Sequence, residues 1–168
     1  MKFKLLSKRE DSYLMNQFMK TAIDEARKGF NRNHGGPFGA IIVRDGVPIA
    51  NAHNEVLNTN DPTAHAEILA IRKACALLES YDLSDCEIYS TSEPCPMCFS
   101  AIHWSRLKKL YFGTTRDDVA LIGFDDSLIY DILSGKARVV QMENVNVDRE
   151  SCLGLLEEWD AKPDKVLY

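Results

Sequence analysis

Four residues in two short segments could do chemistry together. Thr63-Ala64-His65-Ala66-Glu67 carries the pattern H-x-E, and Glu93-Pro94-Cys95-Pro96-Met97-Cys98 carries P-C-x-x-C, with Cys95 standing 30 positions after His65. One imidazole and two thiolates make three good zinc ligands, and three protein ligands leave a fourth tetrahedral position for water. That openness separates a catalytic zinc from a structural one. Glu67 is a carboxylate that need not touch the metal and can carry protons instead. Blander readings exist: the cysteines as core thiols or a redox pair, Glu67 as a solvated helix residue. A closed structural zinc would need a fourth ligand, and the other cysteines are poor candidates. Cys75 falls on an apolar helix face, Cys86 precedes a strand and Cys152 sits in a terminal helix, all three reading as core. Met97, Phe99 and Ile102 also read as core, whereas His34, His53 and His103 have no partner at useful spacing and read as satisfied or solvent-facing.

The elements that must position these groups follow from periodicity and turn chemistry. Leu14, Met15, Phe18, Met19, Ala22, Ile23 and Ala26 have helical spacing over 12–28, with Gly29 as the stop. Gly35-Gly36-Pro37 is a loop, and the runs 38–43 and 47–52 flank Arg44-Asp45-Gly46, where Asp-Gly marks a hairpin. Asp61-Pro62-Thr63 reads as a helix start, with the helix continuing from Ala64 to Leu78. A strand over 87–91, a helix from Pro94-Cys95-Pro96 towards Ser105 and a strand over 109–112 come next. A short helix over 125–133, a last strand over 137–143 and a helix over 150–159 complete the reading. The order is that of a layered α/β domain. Both motif halves fall at helix N-termini, where unpaired N–H groups and the dipole favour thiolate. His65 and Glu67 would diverge inside a regular helix, so sharing a cavity requires that they lie at its first turn.

Composition narrows the function classes. The 168 residues suit one domain, and 45% hydrophobic with 27% charged residues is ordinary for a globular protein. A net charge of −5 disfavours a phosphate-backbone partner, although Arg106, Lys108 and Lys109 form a small basic cluster. Five cysteines in no disulfide spacing, and an N-terminus without a secretory pattern, point to a reducing cytoplasm. No stretch approaches the ~18 apolar residues of a membrane span.

The H-x-E and P-C-x-x-C pair is the signature of zinc-dependent nucleobase deaminases. The chain resembles the cytidine-deaminase superfamily, and within it the small bacterial guanine deaminases, from about Gly29 to Leu133. The segments that carry this are Gly35-Gly36-Pro37-Phe38-Gly39-Ala40, Asn60 to Glu67, Ala70-Ile71-Arg72-Lys73-Ala74-Cys75, Glu93 to Cys98, and Gly123-Phe124-Asp125-Asp126-Ser127. The last segment discriminates best; Trp104 follows the guanine-deaminase form where guanosine enzymes would differ.

The resemblance implies a three-layer α/β/α fold around a five-stranded mixed sheet. It implies zinc on His65, Cys95 and Cys98, with Glu67 as proton shuttle. Phe38, Asn54, Ala66, Trp104, Asp126 and Tyr168 would contact a purine: Phe38 by stacking, Asn54 by hydrogen bonding, Asp126 and Tyr168 at the distal edge of the base. It further implies a homodimer in which about 150–168 is exchanged between subunits, with residues 1–12 an N-terminal extension to a single deaminase domain. Guanine is the expected substrate. Guanosine, cytosine, another amino-heterocycle or tRNA adenosine are alternatives inside the class, and a zinc-stabilised binding module is the alternative outside it.

Overall fold

The computed structural model describes residues 8–138 and 142–167. Helix α1 (Lys8–Asn31) starts earlier and ends later than its apolar spacing indicates. It runs through Gly29, where His53 takes the place of a side chain: a Cβ would lie 2.5 Å from His53 Cδ2. Termination comes two residues later, at Asn31. Gly29 O accepts from the N–H groups of Arg32 and His34, and Asn33 takes φ 59°.

Strands β1 (Gly39–Arg44) and β2 (Val47–His53) form the expected hairpin. Asp45 and Gly46 both take positive φ, 51° and 74°, as the primed turns that match strand twist require. A short helix α2 (Val56–Thr59), absent from the sequence reading, precedes α3 (Ala66–Leu78). Helix α3 begins two residues later than expected, because Asp61 Oδ1 accepts from both the N–H and the hydroxyl of Thr63, making a turn in place of a first helical residue. Strand β3 (Cys86–Ser92), helix α4 (Pro96–Trp104) and strand β4 (Lys109–Thr114) follow. Helix α5 (Arg116–Ala120), also unforeseen, is opened by a capping box between Thr115 and Asp118.

The sheet order is β2-β1-β3-β4, with β1 antiparallel to both neighbours and β3 parallel to β4. Four strands stand where the resemblance implied five, among the described residues. The expected last strand over 137–143 is centred on 139–141, outside the described residues, and its flanks have no strand partner. Side chains alternate across the sheet. Ala40, Ile42 and Ile88 face a cluster with Ala66, Ala70, Ala74 and Ile102 from α3 and α4, while Ile41, Val43 and Tyr89 face Phe18 and Ala22 of α1. Each such isoleucine, wholly enclosed, contributes about 1.5–3 kcal/mol. The alanines at 66, 70 and 74 share one helix face and let α3 approach the sheet closely, which fixes the depth of its first turn.

Several residues read as core depart from that expectation. Cys86 and Ile102 are buried, but Cys152 is exposed and Phe99 is 48% exposed, meeting the His103 ring edge to face instead. Two members of the basic cluster are engaged locally: Arg106 lies over the Tyr81 ring and near Asp82, and Lys109 pairs with Glu87. No described helix is long and apolar enough to cross a membrane.

The chain divides into two units, up to Ile129 and from Tyr130 onward, with α6 (Ser127–Leu133) crossing the division. The second unit contains α7 (Arg149–Asp160), capped by Asp148, which accepts from the Ser151 N–H; none of its residues is buried.

Candidate active site

His65 and Cys95 occupy equivalent places, one at the N-cap of α3 and the other at the N-cap of α4. Both have extended backbone (ψ 153° and 166°), and neither side chain caps its helix. Each side chain is thereby thrown forward from the helix end instead of lying along its flank. The extended His65 resolves the geometric requirement noted above: the helix starts at Ala66, so Glu67 lies in the first turn and can turn into the same space. Pro96 at the first helical position and the local order Cys95-Pro96-Met97-Cys98 bring Cys98 round to meet Cys95 one turn on.

The three expected ligand atoms converge. They lie within 4.8 Å of one another, the one such group among the described residues. His65 Nδ1 is 3.6 Å from Cys95 Sγ and 3.5 Å from Cys98 Sγ. A tetrahedral zinc with ordinary Zn–N and Zn–S bonds separates a nitrogen from a sulfur by about 3.6 Å, so these residues fit the ion in both donor type and spacing. The hydrogen bond from Cys98, acting against burial and with help from His65, holds the Cys95 thiol down at about 4. Cys98 is correspondingly pushed far up by its contact with Cys95 and by burial, and His65 is raised by Cys95. A cluster so ready to carry a thiolate favours a soft dication.

Glu67 completes the group. Its Oε1 accepts from the Ser90 hydroxyl at 3.1 Å, and its Oε2 lies 3.4 Å from Cys98 Sγ. Burial, aided by the Cys95 charge, raises its pKa. Ser90 was not anticipated; among the hydroxyl residues Tyr89, Ser90, Thr91 and Ser92 nothing in the sequence singles it out.

The expected substrate residues are distributed unevenly. Asn54 is buried beside the hairpin, its Oδ1 accepting from the Val56 N–H at 3.2 Å and its own N–H donating to Phe38 O at 3.0 Å. Phe38 meets Phe124 edge to face at 5.0 Å. Asp125 Oδ1 accepts from the Ser127 N–H, while Asp126 is raised by burial and by the Cys95 charge. The side chain of Ala66 is enclosed in the core, so only its backbone can meet a ligand. Trp104 ends α4, roughly 13 Å along the axis from its start, and is 70% exposed. Tyr168 lies outside the described residues.

His34 and His53, read as isolated, are partners: His34 Nδ1 is 2.9 Å from His53 Nε2, and His53 Nδ1 is 2.9 Å from Glu25 Oε1. Residues 19 and 28 positions apart leave no local pattern, so no sequence signal pointed to this contact.

Comparison with known proteins agrees with this geometry. A family described as the cytidine and deoxycytidylate deaminase zinc-binding region matches residues 13–114. A guanine deaminase of Bacillus subtilis is 53% identical over 151 residues, covering 90% of this chain and 97% of that protein. A tRNA-specific adenosine deaminase of Aquifex aeolicus is 48% identical over 96 residues, 57% of this chain and 63% of that protein. The X-ray structure of guanine deaminase from Bacillus subtilis superposes with a TM-score of 0.86 and 43% identity, covering 91% of this chain and 98% of that chain. With its ligand triangle and buried acid inside the matched region, the chain belongs to the cytidine and deoxycytidylate deaminase family, as a zinc-dependent hydrolytic deaminase.

Proposed function

We infer that the protein hydrolyses guanine to xanthine and ammonia. The observation that carries this is the extent of similarity to the Bacillus subtilis guanine deaminase, which runs past the metal-binding region and takes in Asp126; the tRNA-specific relative matches little beyond half the chain. His65, Cys95 and Cys98 would hold the zinc. When bound, zinc supplies water acidified from about 16 towards ~7, so that hydroxide is available at neutral pH.

Glu67 takes the proton of the attacking water and passes it to ring N3 as oxygen adds at C2. It then takes the proton of the new C2 hydroxyl and delivers it to the departing amino group; the C2–N bond breaks, the C2 carbonyl forms, and ammonia leaves. Its raised pKa favours an acid that can give the proton back. Ser90 fixes Oε1, so that the other oxygen keeps one direction through both transfers. Phe38 stacks on the purine, its own ring braced by Phe124. Asn54, with Oδ1 engaged by Val56, turns its Nδ2 donors to the base. Asp126 reads the distal edge, together with Tyr168.

The remaining expectations join this reading as proposals. The protein is a cytoplasmic homodimer whose segment 150–168 is exchanged between subunits. A C-terminal unit of its own, with no buried residue in α7, supports the exchange, and a truncation ending at 149 that lowers activity and changes the oligomer would test it. The substrate is tested by ammonia release from guanine, guanosine and cytosine. Guanine is expected to lead by at least tenfold; guanine near background overturns the assignment. A tRNA mobility shift that weakens with salt would favour the tRNA reading instead.

A further inference from the structure

The second buried cluster of titratable groups lies beside Asn54 and takes no part in the chemistry above. Glu25, in the last turns of α1, is 7% exposed and receives three donors: Lys28 Nζ at 2.8 Å and Asn51 Nδ2 at 2.9 Å on Oε2, and His53 Nδ1 at 2.9 Å on Oε1. Burial works against its charge, but the bonds from Lys28 and His53 outweigh burial and leave the carboxyl below its ordinary value. A carboxylate can only accept, so His53 Nδ1 carries a hydrogen. One hydrogen is shared between His53 Nε2 and His34 Nδ1 across the 2.9 Å contact. Glu55 stands further off, 3.8 Å from His53 Nε2.

This chain of bonds ties together two segments that pack residue against residue. His34 meets His53, and in the next pair Asn54 fills the space beside Gly35: a Cβ on Gly35 would fall 2.0 Å from Asn54 Oδ1. The same loop is tied onward, since His34 O accepts from Leu57 and Asn58, and Ala64 O, next to His65, accepts from Glu55. The spacing between the loop and the strand end therefore sets where the Asn54 carboxamide lies.

We propose that Glu25, His53 and His34 form a positioning relay that aims the Asn54 carboxamide at the substrate. This rests on the reading of Asn54 as a purine contact, and the experiment separates the two. In 15N-labelled, zinc-loaded protein the Asn54 side-chain amide pair is identified by its loss in Asn54→Ala. It should shift or broaden in Glu25→Gln and, separately, in His34→Leu, while the backbone amides of α3 hold their positions. An unmoved Asn54 pair in His34→Leu overturns the relay whatever the substrate is, and that variant decides should Glu25→Gln fail to fold. With guanine, both variants should raise KM by about 10- to 100-fold and change kcat by less than about threefold. In an Asn54→Ala background Glu25→Gln should add almost nothing to KM, because the relay acts through that residue. Additive losses would mean general destabilisation and would also overturn the relay. A wild-type enzyme inactive on guanine would refute the substrate assignment and leave the amide signals to decide the relay.

Discussion

Glu67 and Glu25 are two carboxylates buried to nearly the same degree, 5% and 7% exposed, yet their protonation is driven in opposite directions. Glu67 has one hydroxyl donor and a neighbouring sulfur, with the Cys95 charge close by, and burial raises it. Glu25 has an ammonium, an amide and an imidazole N–H directed at its two oxygens, and these overcome burial. Burial alone therefore does not set the charge; the supply of donors does. The difference suits the two tasks. A proton carrier must exchange its proton readily, whereas a group that aligns its neighbours must keep one state.

The comparison can be broken at several points. Removing the metal with a chelator should abolish ammonia release and leave the helical circular dichroism signal largely in place, and adding zinc back should restore turnover. Glu67→Gln should lower kcat by about 10²- to 10⁴-fold with zinc content unchanged, as measured by metal analysis and steady-state kinetics. Turnover close to wild type would remove Glu67 from its role. Ser90→Ala deletes a single hydrogen bond worth about 0.5–1.5 kcal/mol and should reduce kcat roughly 2- to 12-fold with little change in KM. Glu25→Gln should leave zinc binding intact and destabilise the fold by about 1–3 kcal/mol in urea titrations at pH 7.

The last variant also has a pH signature. Glu25 titrates below its ordinary value of 4.5 in the folded protein. Its contribution to stability is therefore full above that pH and is lost as pH falls through the folded value. Wild type should lose more stability than Glu25→Gln between pH 5 and the acid limit of folding; parallel curves would show that the carboxylate is not held in its charged form.

The two regions also differ in how much of each could be read beforehand. His65, Glu67, Cys95 and Cys98 were legible because each half of the site is local: its geometry follows from a helix start a few residues long, and only the docking of α3 against α4 was left to the fold. The hairpin at Asp45-Gly46 was legible for the same reason, since the turn residues dictate the backbone. The Glu25 cluster was not legible, because it joins the end of α1, the end of β2 and the loop between them, and nothing short of the packed structure brings those together. The stop assigned to Gly29 failed on the same ground: a glycine that resembled local punctuation answers to a distant ring. The strand read over 137–143, the fifth of the sheet that the resemblance also implied, is centred on residues outside those described, and its described flanks supply no strand partner. Phe99 and Cys152 show the limit of hydrophobicity as a guide, since an apolar side chain on a helix can face outward without leaving any trace in the pattern.

Gly29 has one more consequence, for anyone who wishes to toughen this enzyme. A glycine inside a long helix is the first position that stability engineering would convert to alanine, for an expected gain of about 0.5–1 kcal/mol. Here the added methyl would press into an imidazole from 2.5 Å away and disturb the groups behind it. The rational choice for a hardier protein would thus yield a stiffer rod attached to a blunted catalyst.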